Sequence, residues 1–421
     1  MSEPAQSNEP QLVANRRYLL TVVVLALAVR LGAMLALPEV IFPDQSTYGA
    51  LARNIIEKGK LVDDHGYRAM VAPGYPLLIA GARAVLGQSE YAYRLPQLVF
   101  GVLTVLGIFL LGTGLFGARA GLFAGLLAAV DPFSVYFENL MLSEGPALCL
   151  LVWTAWAAWR CRGKIWLSAL AGGLAAACVL TRPGWMLTCL LLLLGAMFIA
   201  RSQHEGRRDW QRMLLAAAVF CAVMSPWWVR NYRVLGEFVL LSTGGGQTLF
   251  EGNSENATGA PAVPETVGVR MRNIHGLDEL ERDRLLAADA RQWIREHPGA
   301  WIRLALVKFG RTWSPVPNEA GHRKWYQMVV SAANWLVILA LTLIAILKAA
   351  KRQRGLIIWC LIPAILVVFG HLFVVGSVRY RMPAWPFLDI LAGVGIALIW
   401  KPGSGNERRR VQVHEADCPL R

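Results

Sequence analysis

Apolar runs of roughly bilayer length, separated by short clusters of Arg and Lys, recur from one end of this chain to the other. A hydrocarbon core is crossed by about 20 apolar residues in helical conformation. By that measure the runs at 17–37, 96–115, 120–137, 143–160, 165–181, 183–200, 213–229, 326–347, 356–376 and 383–400 predict an all-α polytopic membrane protein with about ten transmembrane helices. Two long stretches interrupt the rhythm, 38–95 and 231–325.

The first interruption carries Tyr48, Leu51, Ala52, Ile55 and Ile56 at helical spacing, so 46–58 is predicted as an amphipathic helix that stops at Gly59. A polar turn at Asp63, Asp64, His65 and Gly66 follows. Ala72-Pro73-Gly74-Tyr75-Pro76 then predicts a tight extended turn ahead of a second apolar helix at 77–86. Helices of this kind lie along the outer membrane surface. The second interruption divides into a Gly-rich part, 236–265, and a helical part, 278–313, which Pro298 restarts at a first-turn position. Its last stretch alternates Trp301, Ile302, Leu304, Leu306, Val307, Phe309 and Trp313 with Arg303, Lys308 and Arg311, as an interfacial helix would. The whole loop is therefore expected to be mixed in structure.

Composition agrees with the membrane class: 55% of the 421 residues are hydrophobic and only 17% are charged. The net charge of +14 changes the picture only through its distribution. Arg16, Arg17, Arg119, the 160–164, 201–212 and 348–354 groups, and Lys401 with Arg408–Arg410 all fall on one side of ten alternating helices. Membrane insertion explains that bias better than a nucleic-acid partner does, and it places both termini in the cytoplasm and both long loops outside. The expected organisation is a cytoplasmic tail at 1–16, a transmembrane module at 17–230 that includes loop 38–95, an external loop domain at 231–325, C-terminal helices at 326–400 and a cytoplasmic tail at 401–421. The first apolar run lacks a small-residue cleavage site and reads as a signal anchor. Neither long loop contains a Cys, so no disulfide framework and no metal site is predicted.

Candidate chemistry collects on the external side. Asp44 follows Pro43 just past the first apolar run; it reads either as a cap for the following helix or as a reactive carboxylate. Asp63, Asp64 and His65 read as a second acidic site or as a plain turn. Arg94, Arg182, Arg230, Arg379 and Arg381 all fall against the cytoplasmic bias, and each either snorkels or binds an anionic headgroup. Val378-Arg379-Tyr380-Arg381-Met382-Pro383 packs two guanidiniums and a phenol into one short turn. Glu138 and Glu144 flank another external turn, with Asp131 before them and Ser143 placed to cap the next helix. His371 and Asp389, inside predicted spans, receive no role. Gly244-Gly245-Gly246 lacks the following Lys and the strand context of a phosphate loop.

Taken in order, Pro43-Asp44, Pro73-Gly74-Tyr75-Pro76, Tyr93-Arg94-Leu95-Pro96, Ser143-Glu144 and Thr181-Arg182-Pro183 form a pattern. It continues through Pro226-Trp227-Trp228-Val229-Arg230-Asn231-Tyr232, Glu251-Gly252-Asn253 and Arg379-Tyr380-Arg381-Met382-Pro383. From about 17 to 400 this resembles the C-type (GT-C) membrane glycosyltransferases, in the bacterial branch related to protein O-mannosyltransferases and the lipid A aminoarabinose transferase. The resemblance implies an inverting transfer from a polyprenyl-phosphate-linked sugar to an acceptor hydroxyl of protein, lipid A or envelope glycan, at the periplasmic face of the bacterial inner membrane. It implies Asp44 as catalytic base; Arg230, Arg379, Arg381, Tyr380 and Tyr75 as donor-phosphate ligands; and Tyr48, Glu138, Glu144, Arg94 and Arg182 as further substrate contacts. No cofactor is required, and dependence on a divalent metal stays open. Many relatives carry a second acid directly after the first, where this chain has Gln45. A flippase for a lipid-linked glycan is the competing reading, but it would concentrate ionisable groups at the midplane and in repeated halves.

Overall fold

The structure is a computed structural model that describes residues 9–38, 43–161, 164–201, 206–261, 265–274, 276–318 and 323–400. Among these residues every regular element is helical. The first helix, α1, runs Glu9–Ala36, so part of the expected tail 1–16 is already helix; the expected tail 401–421 lies outside the described residues. The first long loop folds as α2 (Pro43–Lys58) and α3 (Gly74–Leu86). Then come α4 (Tyr91–Phe116), α5 (Ala118–Val130), α6 (Pro132–Phe137), α7 (Glu144–Arg160), α8 (Trp166–Thr181), α9 (Met186–Arg201) and α10 (Gly206–Leu235). The second long loop contains α11 (Gly245–Gly252), α12 (Glu265–Asn273), α13 (Glu279–Glu296) and α14 (Pro298–Thr312). The chain then finishes with α15 (Trp325–Lys348), α16 (Arg354–Phe373) and α17 (Trp385–Ile399).

Each of the ten predicted spans meets a helix, but not all are alike. Among the described residues, six helical stretches are long and apolar enough to cross a bilayer by themselves: 16–36, 91–116, 210–235, 325–348, 351–373 and 378–399. The others are short. At a rise of about 1.5 Å per residue, a helix like the 13-residue α5 covers about 20 Å, against a hydrocarbon core of about 30 Å. The predicted span 120–137 is in fact two helices, because Asp131 ends α5 in an extended conformation and caps α6. Its carboxylate accepts from the Phe133 and Ser134 amides while Pro132 takes the first helical position.

At the centre of the bundle α17 lies between α5 and α15, and its residues from Trp385 to Gly395 are buried. Two glycines permit this. A Cβ at Gly393 would meet Ala124 N at 2.6 Å, and one at Gly395 would collide with the Leu341 carbonyl. Small residues that let backbones touch are the main route to tight helix packing where lipid offers no hydrophobic contrast. Elsewhere the outward faces of α1, α15 and α16 present Leu20, Val24, Leu336, Leu343 and Ile358, as lipid contact requires.

The two long loops are joined rather than independent. Asp278 caps α13 through the Leu280 and Glu281 amides, both at 2.8 Å. That fixes Glu279 in the first turn, where its carboxylate accepts the amides of Arg68 (2.6 Å) and Ala69 (2.8 Å) from the first loop. One turn on, Arg282 stacks on Tyr67 and donates to the side-chain Oε1 of Gln247 in α11 at 2.6 Å. The predicted turn 72–76 is a helix start instead, since α3 already begins at Gly74. Gly74 sits against the Leu180 carbonyl, where a Cβ would come within 2.7 Å. The expected Gly-rich part 236–265 contains one short helix, α11, between irregular stretches at 236–244 and 253–261.

Candidate active site

Asp44 stands inside the first turn of α2, not ahead of it, so it favours the helix dipole without serving as the N-cap. Its Oδ2 accepts a hydrogen bond of 2.5 Å from Arg379 Nη2, a residue 335 positions away. The same guanidinium donates through Nε to Glu144 Oε1. Glu144 in turn holds Arg182, whose Nη2 lies 3.1 Å from Oε1. Four charges thus alternate in sign along one line of contacts: Arg182, Glu144, Arg379, Asp44. Exposure is least at the Glu144 side chain, 1%, and rises to 20% for Arg182 on one side of it and to 11% for Arg379 and 42% for Asp44 on the other.

The segment that carries Arg379 is fixed from both sides. Ser377 caps a 3-10 turn, Val378–Ala384, that leads into α17. The second long loop grips this segment at five points. Gly376 N donates to the Gly259 carbonyl (2.8 Å), Arg311 Nε to the Gly376 carbonyl (3.1 Å) and Val378 N to Asn318 Oδ1 (2.7 Å). Arg381 Nη1 reaches the Ser314 carbonyl (2.6 Å), and Lys308 Nζ the Leu372 carbonyl (3.3 Å).

Beside this segment lies a cavity of about 630 Å³, bounded by α6, α15 and residues 377–381. Its polar lining comes from Asp44, Arg311, Asn334, Arg379, Tyr380 and Arg381. Its apolar lining includes Phe133, Phe137 and Val330. Concave, mostly apolar space with a few convergent charged groups is what an amphiphile with an anionic head requires.

The structure distributes the sequence candidates over three positions. Asp44, Arg379, Tyr380 and Arg381 line the cavity. Glu144 and Arg182 stand directly behind them; Tyr48 joins through its hydroxyl, which donates to Ser143 Oγ at 3.0 Å. Tyr75 packs edge-on against Tyr48 (4.7 Å between centroids) and accepts from Gln97 Nε2 at 3.1 Å, away from the cavity. Burial raises the pKa of both phenols above the ordinary tyrosine value, so they serve as neutral hydrogen-bonding groups.

Three candidates are elsewhere. Arg230 donates to the carbonyls of Leu61 (2.8 Å) and Arg68 (2.6 Å) and so braces the first long loop rather than facing the cavity. Arg94 donates to the Met34 (2.8 Å) and Leu37 (3.0 Å) carbonyls, which closes the C-terminal end of α1. Glu138 is buried in an ion pair with Arg30 of α1 at 2.7 Å. Even Arg381, though it lines the cavity, sits among Phe133, Trp335 and Trp385 with its guanidinium carbon 4.8–4.9 Å from each ring centroid. That aromatic box holds the cation in place by cation–π attraction.

Smaller expectations resolve in the same way. Asp63 accepts the His65 and Tyr67 amides, and Asp64 accepts from Arg53, so 63–66 is a turn. Ser143 has helical backbone angles and makes no side-chain cap; its hydroxyl is engaged by Tyr48 and Arg182. Gln45 is buried, and the further acids near Asp44 come from distant segments. One is Glu144, through Arg379. Another is Glu251 of α11, whose carboxyl is pushed up by burial and, after the opposing Gln247 bond, by the charge of Asp44. Among the described residues no group of three or more His, Cys, Asp or Glu could hold a metal ion. Arg311 was read only as part of an interfacial helix, and its place in the cavity wall follows from the Gly376 contact, which joins segments 65 positions apart.

Residues 70–229 match the model of the family described as dolichyl-phosphate-mannose-protein mannosyltransferase. No curated protein matches the chain. Among solved structures it is similar to ArnT from Cupriavidus metallidurans bound to undecaprenyl phosphate, with 17% identity, 98% of this chain and 64% of that chain covered, and a TM-score of 0.52. It is also similar to the archaeal oligosaccharyltransferase AglB from Archaeoglobus fulgidus in complex with an inhibitory peptide and a dolichol-phosphate, with 15% identity, coverage of 96% and 52%, and a TM-score of 0.56. A form of the Archaeoglobus fulgidus oligosaccharyltransferase with Zn and sulfate matches at 16% identity, coverage of 94% and 50%, and a TM-score of 0.55. The chain spans about two thirds of the length of the first of these and about half of the other two. It is a membrane protein with the fold of the GT-C glycosyltransferases, and through residues 70–229 it carries the mannosyltransferase family's pattern.

Proposed function

We propose that the protein transfers a sugar from a polyprenyl-phosphate donor to an acceptor hydroxyl at the external membrane face, with inversion at the anomeric carbon. The observation that carries this reading is the meeting of Asp44 and Arg379 at the wall of the cavity of about 630 Å³. Relatives of the same fold bound to undecaprenyl phosphate and dolichol-phosphate support a lipid phosphate as the anionic head.

In this reaction Asp44 takes the proton of the acceptor hydroxyl as its oxygen attacks the anomeric carbon. The bond from that carbon to the phosphate oxygen breaks, and its electron pair leaves with the polyprenyl phosphate. Arg379 and Arg311 face the charge that grows on the leaving phosphate, the place where preorganised cations have the most effect. Because phosphate leaves readily, a single base suffices, without the second carboxylic acid of ordinary glycosidases. Lipid chains of the donor lie against the apolar lining, and both termini face the cytoplasm.

The test is sugar transfer from polyprenyl-phosphate donors to envelope acceptors by purified protein in nanodiscs. Asp44→Asn should lower the rate by at least about a hundredfold, the low end for a removed general base. Transfer at the wild-type rate by a normally folded Asp44→Asn protein would refute the base assignment.

A further inference from the structure

Arg379 answers to two carboxylates that are not equivalent. Glu144 is 1% exposed and has a second cation in Arg182, so its bond to Arg379 Nε is an interior fixture. Asp44 is 42% exposed and opens on the cavity, where its Oδ2 takes Arg379 Nη2. Guanidinium holds a phosphate best through two parallel N–H groups along one edge. A guanidinium presents paired N–H groups along only two edges, and the one that pairs Nε with an Nη is engaged at Nε by Glu144, which leaves the edge formed by Nη1 and Nη2. One corner of that edge is the Nη2 that Asp44 occupies.

We propose that Asp44 and the phosphate of the lipid donor compete for the Nη edge of Arg379, so that donor loading is the event that releases the base. This rests on the function proposed above and adds a coupling that the function does not require. When the phosphate takes Nη1 and Nη2, Asp44 loses its bond and its Oδ2 lone pair turns to the acceptor hydroxyl. Glu144 and Arg182 keep the guanidinium in place during the exchange, which makes Glu144 a positioning residue. The arrangement favours an order of events: donor first, acceptor proton second. It also keeps the carboxylate engaged while no sugar is in reach.

A double-mutant cycle on binding reads this coupling directly. The probe is undecaprenyl phosphate, titrated into wild-type, Asp44→Asn, Arg379→Gln and double-variant protein in nanodiscs, with thermal unfolding confirming the fold of each. Where Asp44→Asn does not fold, Asp44→Ser replaces it; the site is exposed enough to accept either. Removing the competitor should tighten lipid-phosphate binding about tenfold, the low end for a hydrogen bond between charged groups. With Arg379→Gln already present, the same change should alter affinity by less than about twofold, well under the full effect of the bond. Unchanged or weaker binding by Asp44→Asn overturns the proposal, and so does a gain of equal size with Arg379 absent, which would be general charge repulsion. Failure of the wild type to bind the lipid phosphate would remove the function and the coupling together. Full transfer activity in Asp44→Asn would remove the base alone.

Discussion

Lys308 is fully buried, with Nζ 2.8 Å from Asn253 Oδ1 and 3.3 Å from the Leu372 carbonyl, and burial lowers its pKa to about 8. A folded-state value below the ordinary lysine value near 10.4 means that the unfolded chain binds more protons between the two. Stability from this group is therefore missing below about pH 8 and rises as pH climbs toward the unfolded value. The unfolding midpoint of purified protein should rise, relative to Lys308→Met, between pH 7.5 and pH 9.5. Equal shifts in the two proteins would show that Lys308 does not titrate in this window. The arginines make a complementary point about what residues disclose. Arg94, Arg230, Arg379 and Arg381 look alike in sequence, each basic on the external side, and that property fixes depth only. What each guanidinium touches depends on a distant partner: helix-end carbonyls, loop carbonyls, two carboxylates or an aromatic box. Asp44 and Arg379 were thus legible as separate candidates, whereas their contact was not.

At the scale of elements, periodicity located every span, and local chemistry corrected the ends. Asp131-Pro132 is a helix restart hidden inside an apolar run, because the hydropathy of 120–137 does not register a change of chain direction. The prolines of 72–76 misled in the opposite sense: Pro76 lies in the first turn of α3, where a missing amide costs little. Packing of α17 gives an element-scale prediction. Gly393→Leu would drive a side chain into Ala124 N and the Ala120 carbonyl, both backbone of α5. Overpacking against side chains costs about 1–3 kcal/mol, and backbone gives way less easily. The variant should show a sharply reduced yield of monodisperse protein in detergent, whereas Gly299→Ala, in open space on α14, should not. Comparable yields would mean that α17 is not held as tightly as its glycines indicate.

For the whole molecule, the fold class was readable because bilayer length and basic-residue bias are global constraints that many residues report at once. The joining of the two long loops was not, since it depends on pairs such as Glu279 with Arg68 and Ala69, more than two hundred positions apart. Orientation is open to direct measurement. In a cysteine-free background, a Cys placed at Glu296 should react with a membrane-impermeant maleimide added to intact cells, and one placed at Arg352 should react only after permeabilisation. The reverse pattern would invert the proposed topology. A further consequence concerns the grip that residues 259, 308, 311, 314 and 318 keep on 372–381. Because of it, the second long loop and the arginine-bearing turn behave as a single graft. An engineer who exchanges that loop to test the proposed transfer on a new acceptor would have to carry the turn along, and with it the arm that the proposal assigns to the leaving group.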